Sequence, residues 1–325
     1  MVELNLEAGQ LGIGQPEARQ VRDVLDVGSG QGGHRLDDSR PTRYDRRMPL
    51  PVIRPMTPAD VGPATAAILR ADWGDRRAYL DFVTGHAETH PFVADADGSI
   101  VGTGVVSLHG PVAWIGTIWV DPAFRGRGVG LALTHATIET AVQASCRTLV
   151  LVATDAGRPM YERLGFEVQT WYRTLEAPGL DGEAVDPRIH PFRPWDLAPM
   201  VALDAAATGE DRAHLLRAFA TPGSTRVLRQ PDGTLGGFVV RASWGGGATI
   251  APGLQDAAAI LHARRVAAGS GKRVRAGLIA ENEAGLDLLA AMGWTEAWRA
   301  PRLIRGDPLH WQPDAIWGQF NHALG

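Results

Sequence analysis

Trp114-Ile-Gly-Thr-Ile-Trp-Val-Asp-Pro-Ala-Phe-Arg-Gly-Arg-Gly-Val-Gly-Leu131 is the stretch around which the rest of the chain is read. The apolar residues up to Val120 predict a strand, Asp121-Pro122 a turn, and the Gly/Arg run a loop that opens a helix. Gly126, Gly128 and Gly130 let the backbone curl with its N–H groups inward, because glycine has no Cβ to block close approach. The helix that follows adds unpaired N-terminal donors and the positive end of its dipole, and Arg125 and Arg127 add charge. Such a loop suits a phosphate. A Walker A loop would need Lys and Ser/Thr after the last glycine, where Val129-Gly130-Leu131 stands, so a nucleoside triphosphatase is not expected.

Downstream, Thr148 to Ala153 is a continuous apolar strand of the kind buried on both faces, and Leu131, Ile138, Ala141 and Val142 recur at helical spacing between it and the loop. Next comes Tyr161-Glu-Arg-Leu-Gly-Phe166. The spacing Arg125-x-x-Gly128-x-Gly130 behind Val120-Asp121-Pro122 resembles the pyrophosphate motif of the GNAT superfamily of acyl-CoA-dependent N-acyltransferases, and the Tyr161 to Phe166 run resembles its second signature. The resemblance implies an α/β fold of the α+β type, with two tandem GNAT-like domains, each a mixed, mostly antiparallel sheet flanked by helices.

Upstream of the loop, Val52 to Arg54 reads as a first strand and Thr57-Pro58-Ala-Asp60 as a helix start. Two helices follow, through Ile68 and from Arg76 to Val83, then a hairpin turning at Asp97-Gly98 between strands 92–96 and 100–108. A strand pair is expected to close the first domain after Phe166. The order then repeats. Ile53-Arg-Pro-Met-Thr-Pro58-Ala-Asp60 lines up with Ile189-His-Pro-Phe-Arg-Pro194-Trp-Asp196, Asp97-Gly98 with Asp232-Gly233, and Leu164-Gly165-Phe166 with Met292-Gly293-Trp294, which indicates an internal duplication. Expected bounds are a first, catalytic domain over 49–176, a linker near 177–187 and a degenerate copy over 188–325. In that copy the cradle position reads Thr249-Ile-Ala-Pro-Gly-Leu254, without Arg, and Leu289 stands where Tyr161 stands in the first.

Residues 1 to 48 are polar and Gly-rich, and are expected to be a disordered extension. Within them Val24-Leu-Asp-Val-Gly28-Ser-Gly30-Gln-Gly-Gly33 resembles the first motif of S-adenosylmethionine methyltransferases, but the continuation lacks an amphipathic helix and is broken by Pro41. Composition is that of a soluble globular protein: 325 residues, 45% hydrophobic, net charge -4. That balance argues against nucleic-acid and membrane partners, and the absence of a signal peptide makes a cytoplasmic location the default. The lone Cys146 excludes an intrachain disulfide.

The resemblance implies acetyl-CoA as cosubstrate, an amine acceptor that is a small molecule or a peptide, and direct attack in a ternary complex; it also admits a homodimer. Ile118, Trp119 and Val120 would pair with pantetheine like an added strand, and Arg125, Gly126, Arg127, Gly128, Val129, Gly130 and Leu131 would hold the pyrophosphate. Tyr161 would be the general acid for the departing thiolate: a phenol of pKa ~10 is protonated at neutral pH. No base announces itself, since Ala113 to Val120 holds no carboxylate; His109 is an outside candidate, and the roles of Thr154 and Asp155 are open. A non-catalytic acyl-CoA-binding regulator is the competing reading.

Overall fold

The computed structural model describes residues 19–20, 50–71 and 73–325. The glycine motif at Val24 to Gly33 lies outside the described residues, as does the rest of the expected extension apart from β1 (Arg19–Gln20), which pairs with Ile53 and Val52. The first copy runs β2 (Val52–Pro55), α1 (Val61–Arg70), α2 (Arg77–Gly85), β3 (Thr89–Ala96), β4 (Ser99–His109), β5 (Val112–Val120), α3 (Val129–Gln143), β6 (Thr148–Val152), α4 (Arg158–Arg163) and β7 (Glu167–Pro178). The second repeats the order as β8 (Ile189–Pro191), α5 (Leu197–Thr208), α6 (Ala213–Phe219), β9 (Thr225–Arg229), β10 (Leu235–Val240), β11 (Thr249–Ile250), α7 (Leu254–Ala268), β12 (Arg273–Ile279), α8 (Glu283–Ala291), β13 (Thr295–Gly306) and β14 (Ile316–Gly318).

Local chemistry sets these boundaries. Asp97 and Gly98 turn the β3–β4 hairpin at φ 50° and 83°, the left-handed pair that a two-residue hairpin needs. Asp60 accepts hydrogen bonds from the Thr57 N–H and hydroxyl and from the Arg54 guanidinium, all near 2.8 Å, and these hold its carboxyl well below the usual range. The repeat keeps the aspartate and changes the cation: Asp196 accepts from the Arg193 N–H and pairs with Arg229 from β9.

The expected strand pair after Phe166 is not built from the first copy alone. Only β7 follows, and the sheet runs β1-β2-β3-β4-β5-β6-β13-β7-β12. β13 of the second copy enters between β6 and β7, pairing Leu303 with Leu151 and Tyr172 with Ala300, while β7 lies between β13 and β12. Each copy thus completes its sheet with the other's strand. The motif spacing could not show this, because an antiparallel pair of apolar strands has the same pattern whichever chain segment supplies the partner. The remaining strands form a second sheet, β14-β11-β10-β9-β8. Among the described residues no helix is long and apolar enough to cross a membrane.

Candidate active site

β5 and β6 run parallel and pair only at Val112, Ala113 and Trp114, then diverge. Beyond Trp114, β5 bulges: Gly116 faces Val105 and Trp119 faces Thr103, so two residues stand opposite Gly104. Thr117 sits in the bulge at φ 54°, an unusual conformation for a β-branched residue. The Thr103 hydroxyl donates to its carbonyl at 2.9 Å, and its own hydroxyl donates to the Tyr79 phenol oxygen at 3.1 Å. The result is a V-shaped cleft with one backbone edge of β5 facing into it.

The Gly/Arg loop closes the wide end. Gly126 and Gly128 have φ 71° and 81°, which only glycine adopts without strain, and α3 begins at Val129. Arg125 donates back to the Val120 carbonyl at 3.1 Å, tying loop to strand, and the Arg127 guanidinium lies 5.4 Å from the centre of the Phe124 ring. Arg125 and Gly126 are exposed, Arg127, Gly128, Gly130 and Leu131 are partly exposed, and Val129 is buried. A Cβ placed on Gly126 would meet nothing within 4 Å, so the loop opens outward. Positive-φ glycines, an open loop, a helix start and a free strand edge suit a diphosphate followed by an amide-bearing chain, as acyl-CoA carries.

Val120, Gly130 and Met160 converge, which brings α4 to the cleft: a Cβ on Gly130 would lie 3.5 Å from Val120 Cγ2 and 4.0 Å from Met160 Sδ. Tyr161, the next residue, is 8% exposed and packs edge-on to Phe166. Burial raises its pKa above the ordinary phenol value, and Thr134 of α3 hydrogen-bonds to it. The Thr134 hydroxyl itself donates to the Gly130 carbonyl at 2.8 Å, and its contact with the phenol works against the effect of burial. Trp119 is only 1% exposed and its indole belongs to the core, whereas Ile118 and Val120 are partly exposed. Thr154 is exposed and accepts from the Gly157 N–H at the start of α4.

His109 lies elsewhere. It is sealed in a stack of imidazoles with His214 of the second copy and then His86, with nitrogen separations of 2.9 and 2.7 Å, and burial lowers its pKa far below 6.5. On the α2 side of the bulge the wall comes from both copies. Tyr79 meets Trp244 edge-on at 5.6 Å, and residues 322–323 of the second copy cover Gly116 so closely that a Cβ there would overlap Ala323. His322 stacks on Trp298 at 5.1 Å, and burial lowers its pKa to about 4. The helices over 73–86 and a face of the second copy are where the sequence leads one to look for the acceptor wall, but it does not name Trp244, His322 or Ala323; the isolated Gly116 inside an apolar strand is the available signal of a close approach.

The second copy answers the same geometry differently. β14 pairs with β11, Ile316 to Ile250 and Gly318 to Thr249, and also packs on β12, so a strand of the chain's own fills the place that the first copy leaves between β5 and β6. The Trp317 indole donates to the Ala251 carbonyl at 3.0 Å.

Comparisons with known proteins bear on the family and the fold. An N-acetyltransferase of Methanocaldococcus jannaschii, itself uncharacterized, is 33% identical over 114 residues, which is 31% of this chain and half of that relative's length. A candidate acetyltransferase of Pyrococcus horikoshii superposes with a TM-score of 0.73 at 20% identity, covering 90% of this chain and all of that one, and a GCN5-related N-acetyltransferase of Sphaerobacter thermophilus with 0.56 at 18%, covering 83% and all of it; these two show a shared fold. A tandem GNAT protein from the clavulanic acid biosynthesis pathway has the same fold, with a TM-score of 0.55 at 18% identity over 79% of this chain and 98% of its own. The model of the Acetyltransferase (GNAT) family matches residues 60–166 and that of an Acetyltransferase (GNAT) domain residues 200–318, together most of the chain. On these matches and on its paired, strand-exchanged folds, the chain belongs to the GNAT superfamily as a tandem member.

Proposed function

We propose that the chain is an N-acetyltransferase whose first copy moves an acetyl group from acetyl-CoA to an amine by direct attack, with the second copy lending one wall of the acceptor site. The observation that carries this reading is the contrast between the copies: one keeps a splayed, bulged strand edge beside a glycine loop, and the other has that place filled by β14. In this reading Arg125, Gly126, Arg127, Gly128, Val129, Gly130 and Leu131 hold the diphosphate, and the edge of Ile118, Trp119 and Val120 pairs with pantetheine through backbone groups. The acyl-CoA thioester supplies the activated carbonyl.

Tyr161 acts as general acid. Its buried phenol is protonated at neutral pH, and the hydroxyl swings from Thr134 to the departing sulfur. The acceptor amine enters from the side of Tyr79, Trp244 and His322. An alkylammonium of pKa ~10.4 must first lose its proton, and with no carboxylate on β5 that step falls to water or to an amine of low pKa.

A CoA-release screen over polyamines, amino acids, aminoglycosides and peptides tests the activity. Gly128→Glu places a carboxylate and a strained residue in the loop and is expected to abolish turnover together with CoA binding. Tyr161→Phe is expected to lower kcat about 100- to 10,000-fold with KM for acetyl-CoA little changed. CoA binding without release of thiol across the whole panel would leave a binding protein instead.

A further inference from the structure

A cavity of about 760 Å³ lies in the second copy, between the C-terminal half of α7 and strands β10 and β12. That size is usual for a small-molecule site. It sits at the far end of α7 from Gly253, the counterpart of the cradle, so it is separate from the place that β14 fills. Six cations line it: Arg226, Arg241, Arg264, Lys272, Arg273 and Arg275. Lys272 is the chain's single lysine, and the chain as a whole carries net charge -4, so this accumulation is local.

The lining holds one carboxylate, Glu176 of β7, and it is already committed to Arg273 at 2.8 Å and Arg275 at 2.5 Å. Among the described residues Arg226, Arg241, Arg264 and Lys272 have no ion-pair partner. Arg264 donates to the Arg275 carbonyl at 2.7 Å, and burial with repulsion from Arg241 lowers its pKa from the usual arginine range. Cations gathered without counter-charge raise the energy of the folded chain, and an anion relieves it. Phosphates suit this set, since guanidinium forks pair with two phosphate oxygens and an ammonium serves as a point charge. Apart from Ser224 and two glycines, the rest of the lining is apolar, with Val239, Ile260, Val266 and Val274.

From this juxtaposition we propose that the second copy binds a small molecule carrying two or more clustered phosphate groups and an apolar portion, in a pocket distinct from the acyl-CoA cleft. The degenerate copy then has a ligand of its own. The pocket reaches the first copy through β7, which begins at the turn after Tyr161 and carries Glu176 near its other end.

Calorimetric titration of the full chain with inorganic tripolyphosphate tests this independently of any acetyl transfer. The Arg241→Gln/Arg264→Gln chain is expected to lose one equivalent of binding seen in the wild type, and Lys272→Gln, at an exposed position, to weaken that equivalent several-fold. Binding of the same equivalent should fall at least tenfold between 50 and 500 mM salt, roughly as screening of a multiply charged ligand requires. Arg241 makes no bond to another side chain, so Arg241→Met is expected to leave the melting temperature no lower than that of the wild type. Unchanged stoichiometry and affinity in the double variant, or no binding at millimolar tripolyphosphate, would overturn the proposal. A melting temperature several degrees lower in Arg241→Met would overturn it too, because the arginine would then be structural.

Discussion

Gly116 shows how one side chain's absence shapes a site. Its missing Cβ admits Ala323 and the His322 carbonyl against the bulge, so the last residues of the second copy touch the strand on which the acetyl group is proposed to sit. Gly116→Val must push that segment away. The expected outcome is a rise in KM for the acceptor, with binding of CoA nearly unchanged and a loss of about 1–3 kcal/mol in stability from overpacking, measured by steady-state kinetics and urea unfolding. An unaltered acceptor KM would remove the second copy from the acceptor wall. At this scale the sequence was legible where a residue's conformation is its message: Gly126 and Gly128 adopt the positive φ that their spacing demands. It was illegible where the message is a distant neighbour. Nothing near Tyr161 in the chain announces Thr134, and nothing near His109, an outside candidate for the base, announces that it lies sealed against His214.

Among elements, the edge of β5 is left open while that of its counterpart β11 is covered by β14. β14 is buried at each of its three residues, and Trp317, 1% exposed, anchors it by filling a core gap and donating to Ala251. Trp317→Ala is expected to cost about 3–5 kcal/mol by urea denaturation. It should leave CoA affinity at the first copy unchanged, and a loss of that affinity would show that the filled place still serves the cofactor. The change of cradle residues in the second copy was readable, because Pro252 and a single Gly253 stand where the Gly/Arg run should be. What replaces the ligand was not readable, since three apolar residues carry no sign of which edge they join. The exchange of β7 and β13 was hidden for the same reason, although the repeated element order was plain.

Across the whole molecule, buried polar groups lock the copies together. Arg302 of β13 donates to Gln169 and Tyr172 at 2.9 Å, lies 4.8 Å from the Trp114 ring and 4.5 Å from that of Trp311, and faces the buried Glu210 at 3.7 Å. Beside this lies the stack of His86, His214 and His109, faced by Glu88, Asp211 and Arg212, with burial lowering each imidazole pKa and that of His214 to about 4. Unfolded, each would titrate near 6.5. Below about pH 6.5 the unfolded chain therefore binds more protons, so stability is fully present above that pH and is lost as pH falls toward about 4. Urea midpoints should be flat from about pH 7 to 8.5 and fall from about 6.5 to 4.5, and His214→Gln should flatten part of that fall; an identical profile in the variant would exclude the stack. The exchanged strands also govern how the protein can be made. A ribosome that has delivered the first copy through Pro178 has released a sheet with an open seam beside β6, and the piece that closes it, Thr295–Gly306, is still more than a hundred codons away. The nascent first half therefore keeps that seam open until β13 is made, which ties completion of the sheet beside the candidate cleft to translation of the second copy.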